Sequence, residues 1–174
     1  MGDSVDSRVF RDLSYGLYIV TSHDGERVNG QIVNTVIQVT SEPPRVAVIV
    51  NKQNLTHEFI VKSQVFAACV LDESVDMRFL GPFGFRSGRD IDKFERPDYR
   101  LGVTGSPIVL ENTLSALEAR VIEQIDLGTH TVFIGDVVAS EILRGGSPLT
   151  YRYYHEHLKG KTPSKAPSYS SDKG

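Results

Sequence analysis

The chain has 174 residues, of which 40% are hydrophobic and 24% are charged, and its net charge at pH 7 is −3. This composition predicts a globular domain and argues against a nucleic-acid partner. Cys69 is the single cysteine, which excludes an intrachain disulfide and a multi-cysteine metal cluster. The polar segment 1–11 does not resemble a secretory signal, and no apolar run approaches the ~20 residues of a membrane span. We therefore expect a cytoplasmic protein without a membrane partner, whose redox chemistry would require a borrowed cofactor.

The first half of the chain has the pattern of a short helix followed by strands. Apolar residues at helical spacing predict a helix over 4–14. β-branched and apolar runs predict strands over 17–22, 28–40, 45–51 and 65–71, with a short helix over 55–62. Asp24-Gly25 predicts a tight hairpin between the first two strands. A helix capped by Asp72 or Ser74 is predicted to end at Leu80, where a stretch rich in glycine and charge begins.

The second half predicts a hairpin and a polar tail. The segments 114–125 and 131–143 are predicted strands, joined by a turn at 126–129, and a last helical turn is predicted over 151–158. Six or more strands with short helices between them favour a small antiparallel barrel. We place the domain at 1–158. The tail, 159–174, is expected to be flexible alone or to wrap a partner subunit.

Five amide or hydroxyl side chains interrupt the apolar pattern of the predicted strand 28–40: Asn29, Gln31, Asn34, Thr35 and Gln38. Asparagine is disfavoured in strands, so this group needs an explanation. One explanation is a solvated strand face. The other is a row of groups facing a flat heterocycle with a polar edge, because amides and hydroxyls donate and accept hydrogen bonds.

Two polar loops are further candidates. In the segment 51–57 a strand ends and a helix begins, and the N–H groups at a helix start attract anions. The segment 86–94 combines glycine with Arg86, Arg89 and Lys93. That composition suits a phosphate, because glycine permits close approach and the cations supply charge. Each loop is also compatible with an ordinary solvated surface. Together with the polar strand, they indicate a site for a phosphorylated, planar cofactor.

The residues indicate no other chemistry. The five histidines lack the spacing of zinc ligands, so we expect no metal site. Cys69 lies in an apolar strand, where cysteine is usually inert. No Gly-x-Gly-x-x-Gly motif follows a strand and opens a helix, which argues against a parallel nucleotide-binding sheet.

Several motifs, in order along the chain, resemble the flavin-reductase-like family of FMN-binding split barrels. They lie at 15–22, 29–35, 41–44, 51–58, 104–107 and 128–135. The resemblance covers about residues 9–158. Within the family the chain is most similar to the flavin domain of high-molecular-weight rubredoxins and to prokaryotic ferric reductases. The fold implied is mainly β: a split β-barrel of antiparallel, Greek-key type with short peripheral helices.

The resemblance also implies a homodimer that holds FMN, rather than FAD, near the subunit interface. Cofactor contacts are implied along the ring, along the ribityl-phosphate side and at a closing loop. The positions are, in that order, Gln31, Val33, Asn34, Thr35 and Gln38; Asn51, Lys52, Thr56 and His57; Ser87, Gly88, Arg89 and Lys93. His130 is implied at the nicotinamide site, in a Gly-Asp-His-Thr motif whose Asp is Thr129 here. No side chain is implied as an essential acid or base.

The implied activity is hydride transfer from NAD(P)H to FMN, with electrons passing onward to free flavin, ferric iron or a rubredoxin-like protein. The flavin performs this chemistry and the protein positions it. Thr129 leaves a second hypothesis open, a non-enzymatic electron-transfer protein that contains FMN. A third hypothesis is a barrel without cofactor that serves in interaction.

Overall fold

The structure is a computed structural model that describes residues 5–166, 168 and 169. A 3-10 helix at Ser7–Asp12 precedes the first strand. The remaining elements are, in chain order, β1 (Tyr18–His23), β2 (Val28–Val33), β3 (Val36–Ser41), β4 (Pro44–Asn51), α1 (Leu55–Ser63), β5 (Val65–Leu71), α2 (Met77–Phe85), β6 (Tyr99–Leu101), β7 (Pro107–Val109), β8 (Thr113–Asp126), β9 (His130–Ile142) and α3 (Tyr151–Glu156).

Seven strands form one antiparallel sheet in the order β2-β1-β5-β8-β9-β4-β3, and β6 pairs with β7 in a separate ribbon. The edge strands β2 and β3 are consecutive in the chain, so the sheet must curl until its two edges approach each other. The predicted mainly-β, antiparallel barrel with short peripheral helices is confirmed.

The predicted strand 28–40 is wrong as a single element, because the chain leaves the ladder after Val33 and starts a new strand at Val36. β2 pairs with β1, whereas β3 pairs with β4 at the far edge of the sheet. Two hydrogen bonds tie the connection to Ile49 of β4: the amide of Ile49 donates to the carbonyl of Thr35, and the Thr35 hydroxyl donates to the carbonyl of Ile49, each at 3.3 Å. Of the polar residues assigned to one strand, Asn29 and Gln31 therefore lie on β2 and Gln38 on β3, while Asn34 and Thr35 lie in the connection between them.

β1 and β5 are buried on both faces. On β1, Ile19 packs in one apolar cluster and Val20 in the other, since successive side chains point to opposite faces of a strand. One cluster fills the barrel around Phe66 and Phe133; the other lies under α2 and α3. Cys69 is fully buried in this second cluster, and burial raises the pKa of its thiol to about 12. A thiol held in its neutral form is not a nucleophile at neutral pH.

Two predicted helices need correction. The helix expected over 4–14 is a single 3-10 segment whose apolar side chains, including Val9 and Phe10, are exposed. α2 passes through Pro82 and ends at Phe85, five residues beyond its predicted end at Leu80. Leu80 and Phe83 are buried against the barrel, and such packing overrides the low helix propensity of glycine and proline. In the part of the chain that the structure describes, the helices are too short or too polar to cross a membrane.

Candidate functional site

A cavity of about 500 Å³ opens beside β2. β2 forms one wall, the end of β4 a second, and the loop after α2 a third. β2 and β4 do not pair with each other, so the cavity lies where the barrel is split. Its volume falls in the range typical of small-molecule sites, roughly 300–1,000 Å³.

The β2 wall is lined by amides. Asn29, Gln31 and Val33 line the cavity from alternate positions of the strand, and Asn34 follows them. Gln31 Oε1 and Asn34 Oδ1 are buried and have no hydrogen-bond partner among the described residues. Buried polar atoms almost always have a partner. Two unpaired acceptors in one cavity wall therefore indicate that a ligand with N–H or O–H donors binds there.

Gly88 brings the loop after α2 against this wall. A Cβ atom at Gly88 would lie 2.1 Å from Asn29 Oδ1, which is closer than any non-bonded contact allows. Asn29 cannot easily withdraw, because it is buried and its Nδ2 donates to Thr56 Oγ1 at 2.9 Å. Gly88 and its neighbour Ser87 both line the cavity. Glycine is thus required here for close approach of loop and strand.

Lys93 provides a buried positive charge. Its side chain lines the cavity with 6% of the residue exposed, and Nζ donates to the carbonyls of Gly30 at 3.0 Å and Phe83 at 3.4 Å. No carboxylate pairs with it among the described residues. Burial lowers the pKa of the Lys93 ammonium to about 8. A buried cation without a counter-ion favours an anionic ligand.

Of the four predicted cofactor residues in the segment 51–57, one lines the cavity and three lie around it; Asn54 and Leu55, which were not predicted, also line it. Asn51 lines the cavity. Lys52 forms an ion pair with Asp126 at 2.5 Å, and Thr56 is buried as the acceptor for Asn29. His57 Nε2 lies 2.8 Å from Thr131 Oγ1; burial, and then the charge of Lys52, lowers the pKa of this imidazole.

Three other predicted cofactor residues also lie outside the cavity lining. Thr35 is bonded to Ile49, as described above. Gln38 is exposed on β3, where its amide bonds to the carbonyl of Thr40. Arg89 forms a two-pronged ion pair with Glu58 on the surface. The structure therefore brings together Gln31, Val33, Asn34, Asn51, Ser87, Gly88 and Lys93, and it places the other six elsewhere.

His130 begins β9 directly opposite Asn51 in the sheet register. Its Nε2 donates to the carbonyl of Lys165 at 3.2 Å, and its Nδ1 accepts from Thr129 Oγ1 at 2.8 Å. Both ring nitrogens are thus occupied, and the neutral Nε2–H tautomer satisfies both bonds.

Sequence reasoning missed two walls of the cavity. One is aromatic and apolar and comes from α2 and α3, with Leu80, Phe83, Tyr151 and Tyr154. Leu80 and Phe83 are three residues apart, and so are Tyr151 and Tyr154. This spacing was the available signal, because it places both members of a pair on one helix face. The other wall is the segment 163–166, which lies in the predicted tail.

Within the described residues, His, Cys, Asp and Glu form no group of three or more able to hold a metal ion.

The comparisons with known proteins agree with this architecture. The flavin reductase like domain matches residues 10–160. The chain is 47% identical to a high molecular weight rubredoxin of Moorella thermoacetica, covering 95% of this chain and 72% of that protein.

It is 44% identical to a ferric-chelate reductase (NAD(P)H) of Archaeoglobus fulgidus, covering 97% of this chain and all of that protein. The crystal structure of an FMN-binding protein from Thermus thermophilus superposes with a TM-score of 0.72 at 27% identity, covering 80% of this chain and 79% of that one. The chain therefore belongs to the flavin reductase like family, as its sequence motifs predicted.

Proposed function

We propose that this protein is an NAD(P)H-dependent oxidoreductase that holds FMN in the cavity beside β2. The observation that carries the proposal is that one cavity contains two unpartnered amide acceptors, Gln31 Oε1 and Asn34 Oδ1, and the buried ammonium of Lys93. FMN offers the N–H group of its ring and the hydroxyls of its ribityl chain to the first two, and its phosphate to the cation. The ferric-chelate reductase and the FMN reductases (NADH) among the relatives support this assignment.

Different residues of the cavity would bind different parts of FMN. Gln31 and Asn34 would accept hydrogen bonds from the ring N–H and the ribityl hydroxyls, and Leu80, Phe83 and Val33 would supply apolar contact. Ser87, Gly88 and Lys93 offer a hydroxyl, a close backbone approach and a positive charge to the phosphate and ring. When bound, the flavin supplies the hydride and electron chemistry. The protein binds it, orients it and excludes water; no side chain is assigned as an acid or base.

His130 and Asn51 mark the side of the cavity proposed for the nicotinamide. They are cross-strand neighbours on β9 and β4. Thr129, in place of the Asp of the family motif, donates to His130 and holds its ring. His130 is thereby a positioning residue.

A homodimer is also proposed. Large apolar side chains are exposed on β3 and the outer part of β8: Ile37 is 56% exposed, Val39 48% and Ile122 45%. Burial of such side chains is the usual driving force for association. Analytical ultracentrifugation tests this, and a monomer at micromolar concentration would contradict it.

The cytoplasmic location expected from the sequence stays a prediction.

Electrons leaving the flavin are proposed to reach ferric chelates or a rubredoxin-like protein. The test is steady-state oxidation of NADH and NADPH by FMN-loaded protein, with a ferric chelate or a purified rubredoxin as acceptor. Turnover that requires both FMN and an acceptor supports the proposal. Absence of turnover with either nucleotide, in protein shown to contain FMN, would contradict it.

One observation favours the second candidate, a non-enzymatic FMN electron-transfer protein. Both ring nitrogens of His130 are occupied, one by Thr129 and the other by the carbonyl of Lys165. Electron exchange with a reduced protein partner, without any reaction with NADH or NADPH, would establish that role instead.

A further inference from the structure

The chain after α3 is forced back towards the barrel. Tyr154 Oη donates to the carbonyl of Lys161 at 3.0 Å, and the amide of Gly160 donates to the carbonyl of Tyr154 at 3.1 Å. A Cβ at Gly160 would lie 1.9 Å from Tyr154 Cζ, so only glycine allows this tight passage. The hydroxyls of Tyr151 and Thr162 are also bonded to each other. α3 therefore sets the direction of the segment that follows it.

That segment, residues 161–166 with Ser168, is named here the C-terminal strap. Its residues 163–166 line the cavity. A turn in which the amide of Ala166 donates to the carbonyl of Pro163 at 3.0 Å keeps it compact. Proline also reduces the conformational entropy lost when such a segment is ordered.

The far end of the strap is bonded to side chains of the proposed site. The carbonyl of Lys165 accepts from Asn51 Nδ2 at 3.3 Å and from His130 Nε2 at 3.2 Å. Ser168 Oγ accepts from Asn34 Nδ2 at 2.7 Å. With its Nδ2 bonded to the strap, Asn34 keeps only its unpartnered Oδ1 for a ligand. The strap thus positions residues on both the ring side and the nicotinamide side.

We infer that the C-terminal strap is a wall of the flavin site that retains the flavin, which makes it a bound prosthetic group rather than a passing substrate. The strap is a wall and not a plug, because the cavity of about 500 Å³ exists with the strap in place. Flavin can leave on that side only if the bonds to Asn34, Asn51 and His130 break. Reducing equivalents then leave as electrons to an external acceptor, not as released reduced flavin. This inference rests on the proposed function only in taking flavin as the ligand.

The first test is a truncation that ends the chain at Gly160, with a chain ending at Tyr169 as the matched control that keeps the strap. Each is loaded with FMN, diluted, and followed by the fluorescence of released flavin. We expect the shorter chain to release FMN roughly 10- to 100-fold faster, since most affinity changes appear in the dissociation rate. The control should release it at the rate of the full chain. Equal rates in all three proteins would overturn the inference.

The second test needs no truncation and uses the double variant Asn34→Cys with Ser168→Cys. The 2.7 Å bond between the two side chains makes these positions neighbours, so a short bifunctional thiosulfonate can bridge the two cysteines through disulfides, and Cys69 is fully buried and does not compete. We expect this reagent to give a cross-link within one chain and to slow FMN release relative to the same variant after reduction. A cross-linked dimer on a denaturing gel would show instead that the strap wraps a partner subunit, and an unchanged rate would overturn retention.

FMN release is read without NADH or NADPH, which separates the two proposals. A protein that retains FMN through the strap but is not reduced by either nucleotide would contradict the proposed activity and leave the strap's role intact. A protein that is reduced but releases FMN equally fast with and without the strap would do the reverse.

Discussion

β2 and β3 are separated by two residues in the chain, yet they occupy opposite edges of the sheet. Gln31 on β2 is buried and lines the cavity, whereas Gln38 on β3 is exposed and its side chain bonds to the carbonyl of Thr40 in the same strand. The loop after α2 shows the same division. Lys93 is buried without a carboxylate, and Arg89 is paired with Glu58 on the surface. A polar residue in a predicted element thus indicates a site only where the fold covers it.

The largest expected effect contrasts two of the three cations of that loop, Lys93 and Arg89. Lys93→Met should weaken FMN binding about 100-fold, because a desolvated charge-assisted bond to phosphate is lost. Arg89→Met should change the dissociation constant less than about 2-fold, because exposed ion pairs contribute little. Fluorescence titration of the apoproteins with FMN measures both. Equal losses in the two variants would place Arg89 in the site and remove the distinction drawn here.

The pH dependence of binding sharpens the same contrast. Burial lowers the pKa of Lys93 to about 8, so its ammonium loses its proton as the pH rises through that value. Because an anion binds the charged form, the dissociation constant for FMN should rise up to about 10-fold between pH 7 and pH 9. The Lys93→Met variant should show a flat profile over this range. A wild-type profile as flat as that of the variant would mean that Lys93 does not face the phosphate.

A smaller effect on FMN affinity is expected at Gln31, and none at Gln38. Gln31→Ala removes a buried, unpartnered acceptor and should weaken FMN binding about 5-fold, the value of one hydrogen bond. Gln38→Ala, at an exposed edge position, should leave the affinity unchanged. Isothermal titration calorimetry distinguishes the two. If Gln38→Ala weakened binding as much, its exposed position on β3 would have to be part of a second wall supplied by a partner subunit.

Much of the fold was predictable from local pattern. The strand 65–71 was expected to be buried on both faces, and β5 is. The alternating segment 114–125 matches β8 within one residue at each end. These elements follow from side-chain period and length alone. Family membership rested on motifs spread along the whole domain, and the match to residues 10–160 confirms it.

The missed features depend on contacts between distant residues. Nothing local marks the break at Asn34, because the apolar residues on both sides continue a strand pattern; the bonds between Thr35 and Ile49 produce it. The strap is polar and rich in lysine and proline, a composition typical of a mobile tail. Its position depends on Tyr151 and Tyr154. The part of the proposed site formed by β2 could therefore be predicted from the sequence, whereas the part formed by the strap could not.

The central claim is that NADH or NADPH reduces flavin held in the cavity beside β2. Anaerobic titration of FMN-loaded protein with each nucleotide, followed at the oxidised-flavin absorbance band at about 450 nm, tests it most directly. We expect at least one nucleotide to bleach the flavin stoichiometrically. The absorbance of the oxidised flavin should then recover when a ferric chelate is added. An absorbance that stays constant with both nucleotides, in protein that dithionite bleaches fully, would contradict the claim.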